Sequence, residues 1–430
     1  MTAHLRASTA LLTAALTAVL AVGAGAAPPS QEGGGVALVA AKALVCELEG
    51  VQVIDGAVLL MQDGKIQAVG AAQDVDIPAG YEVLDLGEQW IAPGLVELHC
   101  HVGTPNPFFP NDINDMVYLT NPGVRVSAST VASNKELYRG LTGGVTTVLF
   151  IPGSGTNMGG QGILLKTAPG GYEQNVVRNP GSLKLAQAGN PERWLIRPGR
   201  SFMNWNTRNT FERGIAYAKR WEAHEGGGAP RPERDPQLDV FRDLYTKKAQ
   251  VSTHTQIYQV VLMTITMVRE ELGLDVYIDH GTFDGHRAAG LAEAAGVPAI
   301  LGPRGISRPY SSFLDTDGRI LGVAAEYQRE GHTRVGFNTD SPVVPQDQLF
   351  LQAAMGVRYG FDSSHLDHVR GLTIVPATAA GIADRVGSLE AGKDADVLVV
   401  TGDPTDPRTE VRMVFVDGRR VYDVATDRRP

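Results

Sequence analysis

At 430 residues, with 43% hydrophobic and 20% charged side chains, the chain has an ordinary globular composition and ample apolar material for a large core. A formal charge of −9 with no run of basic residues argues against nucleic acid or an anionic membrane surface as the main partner. A small-molecule substrate is the expected partner, and the composition leaves homo-oligomerisation open.

Residues 1–27 read as a secretory signal peptide. His4 and Arg6 precede an apolar stretch from Ala10 to Val22, and the small residues Ala24-Gly-Ala-Ala follow. An apolar run of about thirteen residues is too short to span a bilayer comfortably. Cleavage near Ala26 or Ala27 and a secreted or periplasmic product, with no membrane contact afterwards, are expected. Export would permit disulfides, but the only cysteines, Cys46 and Cys100, read as two buried free thiols.

Residues 28–90 alternate and turn like a small β-domain. Val51-Gln-Val-Ile, Ala57-Val-Leu-Leu-Met and Ile66-Gln-Ala-Val are separated by the hairpin signals Asp55-Gly and Asp63-Gly-Lys. Residues 376–430 hold a terminal barrel helix and then repeat that grammar in Ala395-Asp-Val-Leu-Val-Val, Met413-Val-Phe-Val and Val421-Tyr. Each end is too short for a good core, so the two predict one composite β-sandwich domain.

The segment between, residues 91–375, carries the chemistry. Trp90-Ile-Ala-Pro-Gly-Leu-Val-Glu-Leu leads into His99-Cys-His101, a buried strand ending in two imidazoles on one face. His254 ends Gln250-Val-Ser-Thr-His, His280 ends Val276-Tyr-Ile-Asp-His, and Asp340 ends Arg334-Val-Gly-Phe-Asn-Thr-Asp. His280 follows His254 by 26 residues and Asp340 follows His280 by 60, about one and two strand-plus-helix units. Helices are expected at 258–272, 285–295 and 320–330, with a strand at 298–301. Strand ends recurring at that interval predict an α/β fold, a parallel (β/α)₈ TIM barrel with its functional groups at the carboxyl ends. His99 and His101 would then lie on strand one, and His254, His280 and Asp340 on strands five, six and eight.

Two other stretches stand out. Gly153 to Gly162 lacks the Gly-Lys-Ser/Thr ending of a phosphate loop and reads as a flexible loop over the barrel mouth. Asn190 to Pro236 holds Arg193, Arg197, Arg200, Arg208 and Arg213 with three tryptophans, and is helical from about 209 to 225. Any single arginine there reads better as part of a solvated helix face than as a substrate clamp.

Pro93-Gly-Leu-Val-Glu-Leu-His-Cys-His, the two single histidines and the late aspartate resemble the amidohydrolase superfamily. So do Pro376-Ala-Thr-Ala-Ala-Gly-Ile and Val386-Gly-Ser-Leu-Glu-Ala-Gly-Lys-Asp-Ala-Asp-Val-Leu-Val-Val, and the resemblance runs from about residue 44 to 424. Gly143-Gly-Val-Thr-Thr-Val, Pro152-Gly-Ser-Gly and Gly159-Gly-Gln-Gly are similar to its imidazolonepropionase-like branch.

The resemblance implies a divalent metal, with Zn²⁺ suited to His99, His101, His254 and Asp340 as ligands. The metal would lower the pKa of a bound water and supply hydroxide, with Asp340 as general base and His280 catalytic or a ligand of a second ion. The implied activity is metal-dependent hydrolysis of a non-peptide carbon–nitrogen bond in an amide or cyclic amide. An Xaa-Pro or Xaa-Arg dipeptidase, a deaminase and a retired binding scaffold are the alternatives. Relatives with two ions bridge them with a carboxylate, and here Gly189 stands where a glutamate would fall. One metal per chain is therefore expected, with Lys184 and Lys166 as the lysines whose carbamylation would supply a bridge for two.

Overall fold

The computed structural model describes residues 34–104, 118–193, 197–303, 305–307 and 321–429. The expected signal segment lies outside the described residues. Residues 35–430 form one compact unit.

The chain opens with β1 (Val36–Leu44), β2 (Val53–Gln62), β3 (Lys65–Ala71), β4 (Glu82–Asp85) and β5 (Trp90–Pro93). Asp63-Gly64 turns the β2–β3 hairpin with positive φ at both residues, as its hairpin signal requires, whereas Asp55-Gly56, expected as a second hairpin, lies inside β2. A single residue, Gly94, separates β5 from the first barrel strand. A Cβ at Gly94 would stand 2.1 Å from Thr146 Oγ1, so only glycine fits this passage from sheet to barrel.

The barrel consists of β6 (Leu95–Cys100), β7 (Val145–Phe150), β8 (Met158–Lys166), β9 (Val176–Ala186), β10 (Gln250–Thr255), β11 (Val276–His280) and β12 (Ala299–Leu301). After a short hairpin, β13 (Ile306–Ser307) and β14 (Leu321–Gly322), β15 (Val335–Phe337) supplies the eighth barrel strand. The barrel strands pair in the order of the chain. The seam nearly closes where the His101 N–H donates to Ser341 O at 2.7 Å and the Val96 N–H to Leu372 O at 2.8 Å. Helices occupy Tyr258–Met263 with Thr264–Glu271, Ala289–Ala295 and Val323–Arg329, as their periodicity predicts.

The barrel departs from the all-parallel expectation at one strand: β8 runs antiparallel to both β7 and β9. The chain from Phe150 to Met158 is too short for a crossover, which takes about a dozen residues or more, so the next strand must run back. Of the glycine-rich stretch expected as a mouth loop, residues 153–157 form the connection between β7 and β8, while residues 158–162 belong to the buried strand β8. A Cβ at Gly160 would lie 2.6 Å from Val124 O, and one at Gly162 2.6 Å from Ile151 Cγ2, so these glycines permit close packing.

The chain ends with β16 (Val397–Val400), β17 (Val411–Val416) and β18 (Arg419–Asp423). β16 pairs with β5, joining both chain ends into one composite eight-stranded sheet. Along β16 the period-two alternation serves two cores. Val397 and Val399 pack with Leu38, Leu59 and Ile91 inside the sheet domain, while Leu398 and Val400 pack into the barrel's outer core.

Candidate metal centre

Every residue singled out at a strand end reaches the carboxyl end of the barrel. His99 and His101 share one face of β6, while Cys100 turns into the wall, its thiol 3.7 Å from Leu149 O. Cys46 and Cys100 are both buried and free. His254 and His280 end β10 and β11, and Asp340 follows β15. His280 and Asp340 adopt φ of 75° and 50°, left-handed values that non-glycine residues seldom take.

The side chains gather in two groups. His99 Nε2 lies 3.2 Å from His101 Nε2 and 3.3 Å from Asp340 Oδ1, and His101 Nε2 lies 3.2 Å from the same oxygen. Beside them, His280 Nε2 lies 2.8 Å from His254 Nδ1, and the His99 and His280 rings are 4.3 Å apart between centroids.

Their partners assign the ring protons. His101 Nδ1 faces Ile151 O at 2.8 Å and His280 Nδ1 faces Gly302 O at 2.8 Å. A carbonyl only accepts, so in both rings Nδ1 carries the hydrogen and Nε2 presents a lone pair. His99 Nδ1 stands 2.6 Å from Asp279 Oδ2, a close ionic contact that places a proton there as well. Two imidazole nitrogens and a carboxylate oxygen thus converge within 3.3 Å of one another, an arrangement that suits a cation at their centre. The donor set therefore fits a divalent metal.

Electrostatics point the same way. Burial opposes the His99 imidazolium, but the Asp279 and Asp340 carboxylates together hold the His99 pKa above the ordinary value, so protons and a cation compete for this ring. Burial and the neighbouring His280 hold the His254 pKa well below the usual range. Burial and His99 depress that of His280 to about 4, so it stays neutral and able to ligate. Burial would raise the Asp340 carboxyl, yet His99 and His101 hold its pKa well below the carboxylate range.

The expected four-residue ligand set is divided. Among the described residues, the groups within ligand distance are His99, His101 and Asp340, and His99, Asp279 and His280. His254 belongs to neither, though its Nδ1 meets His280 Nε2, and His280, expected as a catalytic group or a ligand of a second ion, stands in the second group. Lys184 on β9 is fully buried, with Nζ 3.5 Å from His99 Nε2 and 3.7 Å from Asp279 Oδ2. Lys166 does not reach the site. It points to the opposite barrel end, 2.6 Å from Asp396 Oδ2 and 3.1 Å from Asp394 Oδ2, because reversed β8 carries it there.

Two buried acids escaped the sequence reading. Glu97 accepts from the His99 N–H and the Thr339 N–H at 2.9 Å each, and from Thr339 Oγ1 at 2.7 Å, tying β6 to the segment before Asp340. Its position two residues before His99, on the same strand face, was the available signal. Asp279 shares the inward face of β11 with Tyr277, and the left-handed turn at His280 brings that ring round to the same site.

Gly189 sits at the mouth, where a Cβ would stand 3.7 Å from His254 Nε2. Of the arginines in the long excursion, Arg200 pairs with Glu192 at 2.9 Å and Arg208 with Glu271, on a helix longer than expected, Arg200–Glu225. Both ion pairs support the surface reading for these two.

The chain is thus a barrel with histidines and an aspartate at its carboxyl ends, joined to a composite sheet from both termini. The amidohydrolase family model matches residues 312–421. An amidohydrolase, tasK, of Hapsidospora irregularis is 24% identical over 387 residues, covering 81% of this chain and 38% of its own length. The chain therefore spans well under half of that relative. The imidazolonepropionase of Brucella anthropi is 27% identical over 375 residues, covering 82% of this chain and 88% of its own. The crystal structure of an amidohydrolase from Thermotoga maritima superposes with a TM-score of 0.79 at 27% identity, covering 90% of this chain and all of the other. Over most of its length the chain is thus similar to amidohydrolases and, among them, to imidazolonepropionases.

Proposed function

We propose that this protein is an exported, metal-dependent hydrolase that opens a non-peptide amide or cyclic amide in a small molecule. The convergence of His99 Nε2, His101 Nε2 and Asp340 Oδ1 within 3.3 Å of one another carries this reading. Zn²⁺ suits imidazole nitrogens together with a carboxylate. His99, His101 and Asp340 would hold one ion. His254 and His280, with Lys184 between the groups, favour a second over the single ion expected from Gly189. A bound divalent cation polarises a carbonyl and makes water acidic enough to react near neutral pH.

The chain's own groups handle the proton. Asp340 keeps its carboxylate ionised and its side chain is 19% exposed toward the mouth, so it can take a proton from attacking water and return it to the departing nitrogen. Lys184 is held toward its neutral amine by burial, the form that adds carbon dioxide to give a bridging carbamate and a proton.

His101→Ala and Asp340→Asn are each expected to abolish hydrolysis of cyclic amides while leaving the thermal unfolding transition intact. Near-normal turnover in either would refute the site. Dipeptides and aminated bases assayed in parallel separate the alternatives within the superfamily. Export rests on the basic, apolar and small-residue pattern of residues 1–27, and N-terminal sequencing of protein from its native host should begin near Ala27. Recovery of Met1 on a cytoplasmic product would reject it. Among the described residues, no helix is long and apolar enough to cross a membrane.

A further inference from the structure

At the barrel end opposite the metal centre, a cavity of about 220 Å³ opens beneath the first residues of β9, β10 and β11. Arg178, Lys247, Arg269 and Arg334 line it with one carboxylate, Asp275. Asp275 is taken by Arg269 at 2.5 Å and by Lys247 at 3.7 Å. Arg334 is turned toward Glu293, donating to its carbonyl at 3.1 Å with the carboxylate 3.8 Å away. Arg178 has no such partner, because among the described residues no carboxylate lies within 4.0 Å of it. Its Nη2 donates to Gly181 O at 2.8 Å and to Gln250 Oε1 at 2.5 Å.

Two donors here are buried with nothing to bond. Gln250, only 4% exposed, spends its oxygen on Arg178 and leaves Nε2 without an acceptor, and Arg178 Nε is likewise unsatisfied. Buried donors of this kind are costly unless an acceptor joins them. The cavity wall also leaves the guanidinium groups uncovered at two glycines. A Cβ at Gly381 would stand 3.7 Å from Arg178 Nη1, and one at Gly296 3.6 Å from Arg334 Nη1 and 3.7 Å from Arg269 Nη2.

We propose that this cavity is a binding site for a small oxyanion carrying two or more negative charges, a phosphate or a short dicarboxylate. Four cations against one carboxylate leave an excess of positive charge, and planar guanidinium forks match oxyanion geometry. The bound anion would clamp the starts of β9 and β10, the strands that carry Lys184 and His254 at their far ends. It would stabilise the fold without entering the reaction.

Thermal unfolding of the full chain is followed in inorganic phosphate, and separately in succinate, each against chloride at equal ionic strength. A saturable rise in the unfolding midpoint is expected for wild type, and also for His101→Ala, whose catalytic end is disabled. Arg178→Met should lose the rise. Lys247→Gln, at a side chain 56% exposed and free of packing demands, should fold normally and bind about tenfold more weakly. A response to phosphate alone assigns a phosphate-type ligand, and a response to succinate alone a dicarboxylate. Equal midpoints in chloride and in both anions would overturn the proposal, as would a saturable rise unchanged in Lys247→Gln.

Discussion

Glu97 shows how much of the metal centre is held by a residue that never touches it. Burial pushes its pKa up to about 8, against the hydrogen bonds from Thr339 and His99. The donor pattern speaks for the carboxylate, because three donors aimed at two oxygens leave little room for an acid proton. Glu97→Gln separates the two states. An amide must turn its NH₂ toward either the His99 N–H or the Thr339 donors, leaving at least one buried donor unsatisfied at about 1–3 kcal/mol. The segments bearing His99 and Asp340 then lose their common tether, and metal affinity should fall by about 10–100-fold, as for other residues that orient ligands. Metal titration of the apo-protein with a competing chelator measures this. Wild-type affinity in the glutamine variant would mean that Glu97 is a neutral acid and not a tether.

At the scale of elements, what the chain discloses depends on whether a signal survives a change of strand direction. The strands bearing His99, His254 and His280 were legible because each is a short apolar run ending in a polar ligand, and the helices between them fill the intervals. Direction was not legible in β8, since Met158–Lys166 alternates identically whether it runs up or down the barrel. Its glycines read as flexibility when they in fact permit contacts that a Cβ would forbid. The division of the ligands was hidden for a similar reason. Spacing shows which strand a histidine ends, but not that His254 turns Nδ1 toward His280.

The helix Ala289–Ala295 offers a test of burial away from the site. Its Glu293 Oε2 stands 3.1 Å from the Nδ1 of His332, a ring with a fully buried side chain. Burial depresses the His332 pKa to about 4, only partly offset by Glu293. Unfolding restores the ordinary value near 6.5, so between the two the unfolded chain binds a proton that the folded chain refuses. Stability should therefore fall as pH drops from about 6.5 toward 4, with this residue contributing up to about 1.4 kcal/mol per pH unit. Above pH 6.5 it contributes no slope. Burial depresses the His280 pKa to about 4 as well, so the difference between wild type and His332→Asn is the informative quantity. Chemical denaturation at several pH values should give a shallower slope for the variant, and identical slopes would refute the assignment.

For the whole molecule, the two buried lysines test whether stability and catalysis are separate. Lys166 lies between barrel and composite sheet, 2.6 Å from Asp396 Oδ2, 3.1 Å from Asp394 Oδ2 and 3.7 Å from Asp417 Oδ1. Asp394 has further partners, Lys65 at 2.6 Å and Arg385 at 2.8 Å, whereas Asp396 has no other ion pair among the described residues. Lys166→Met would strand the Asp396 charge in a site only 4% exposed. Breaking a buried pair from one side costs about 3–5 kcal/mol, because the remaining charge is left uncompensated. The variant should unfold at a markedly lower temperature yet keep its specific activity and metal content while folded. Adding Asp396→Asn to it should recover much of the loss, since the stranded charge is then gone. Lys184→Met should do the reverse, holding its unfolding midpoint near or above wild type while losing activity and one of two bound ions. Adding bicarbonate to metal-stripped protein before reloading should raise metal uptake in wild type and in Lys166→Met, but not in Lys184→Met. If Lys166→Met instead lost metal with its fold intact, the two lysines would have to exchange roles. That outcome would also contradict the reversed direction of β8, which sets them at opposite ends of the barrel.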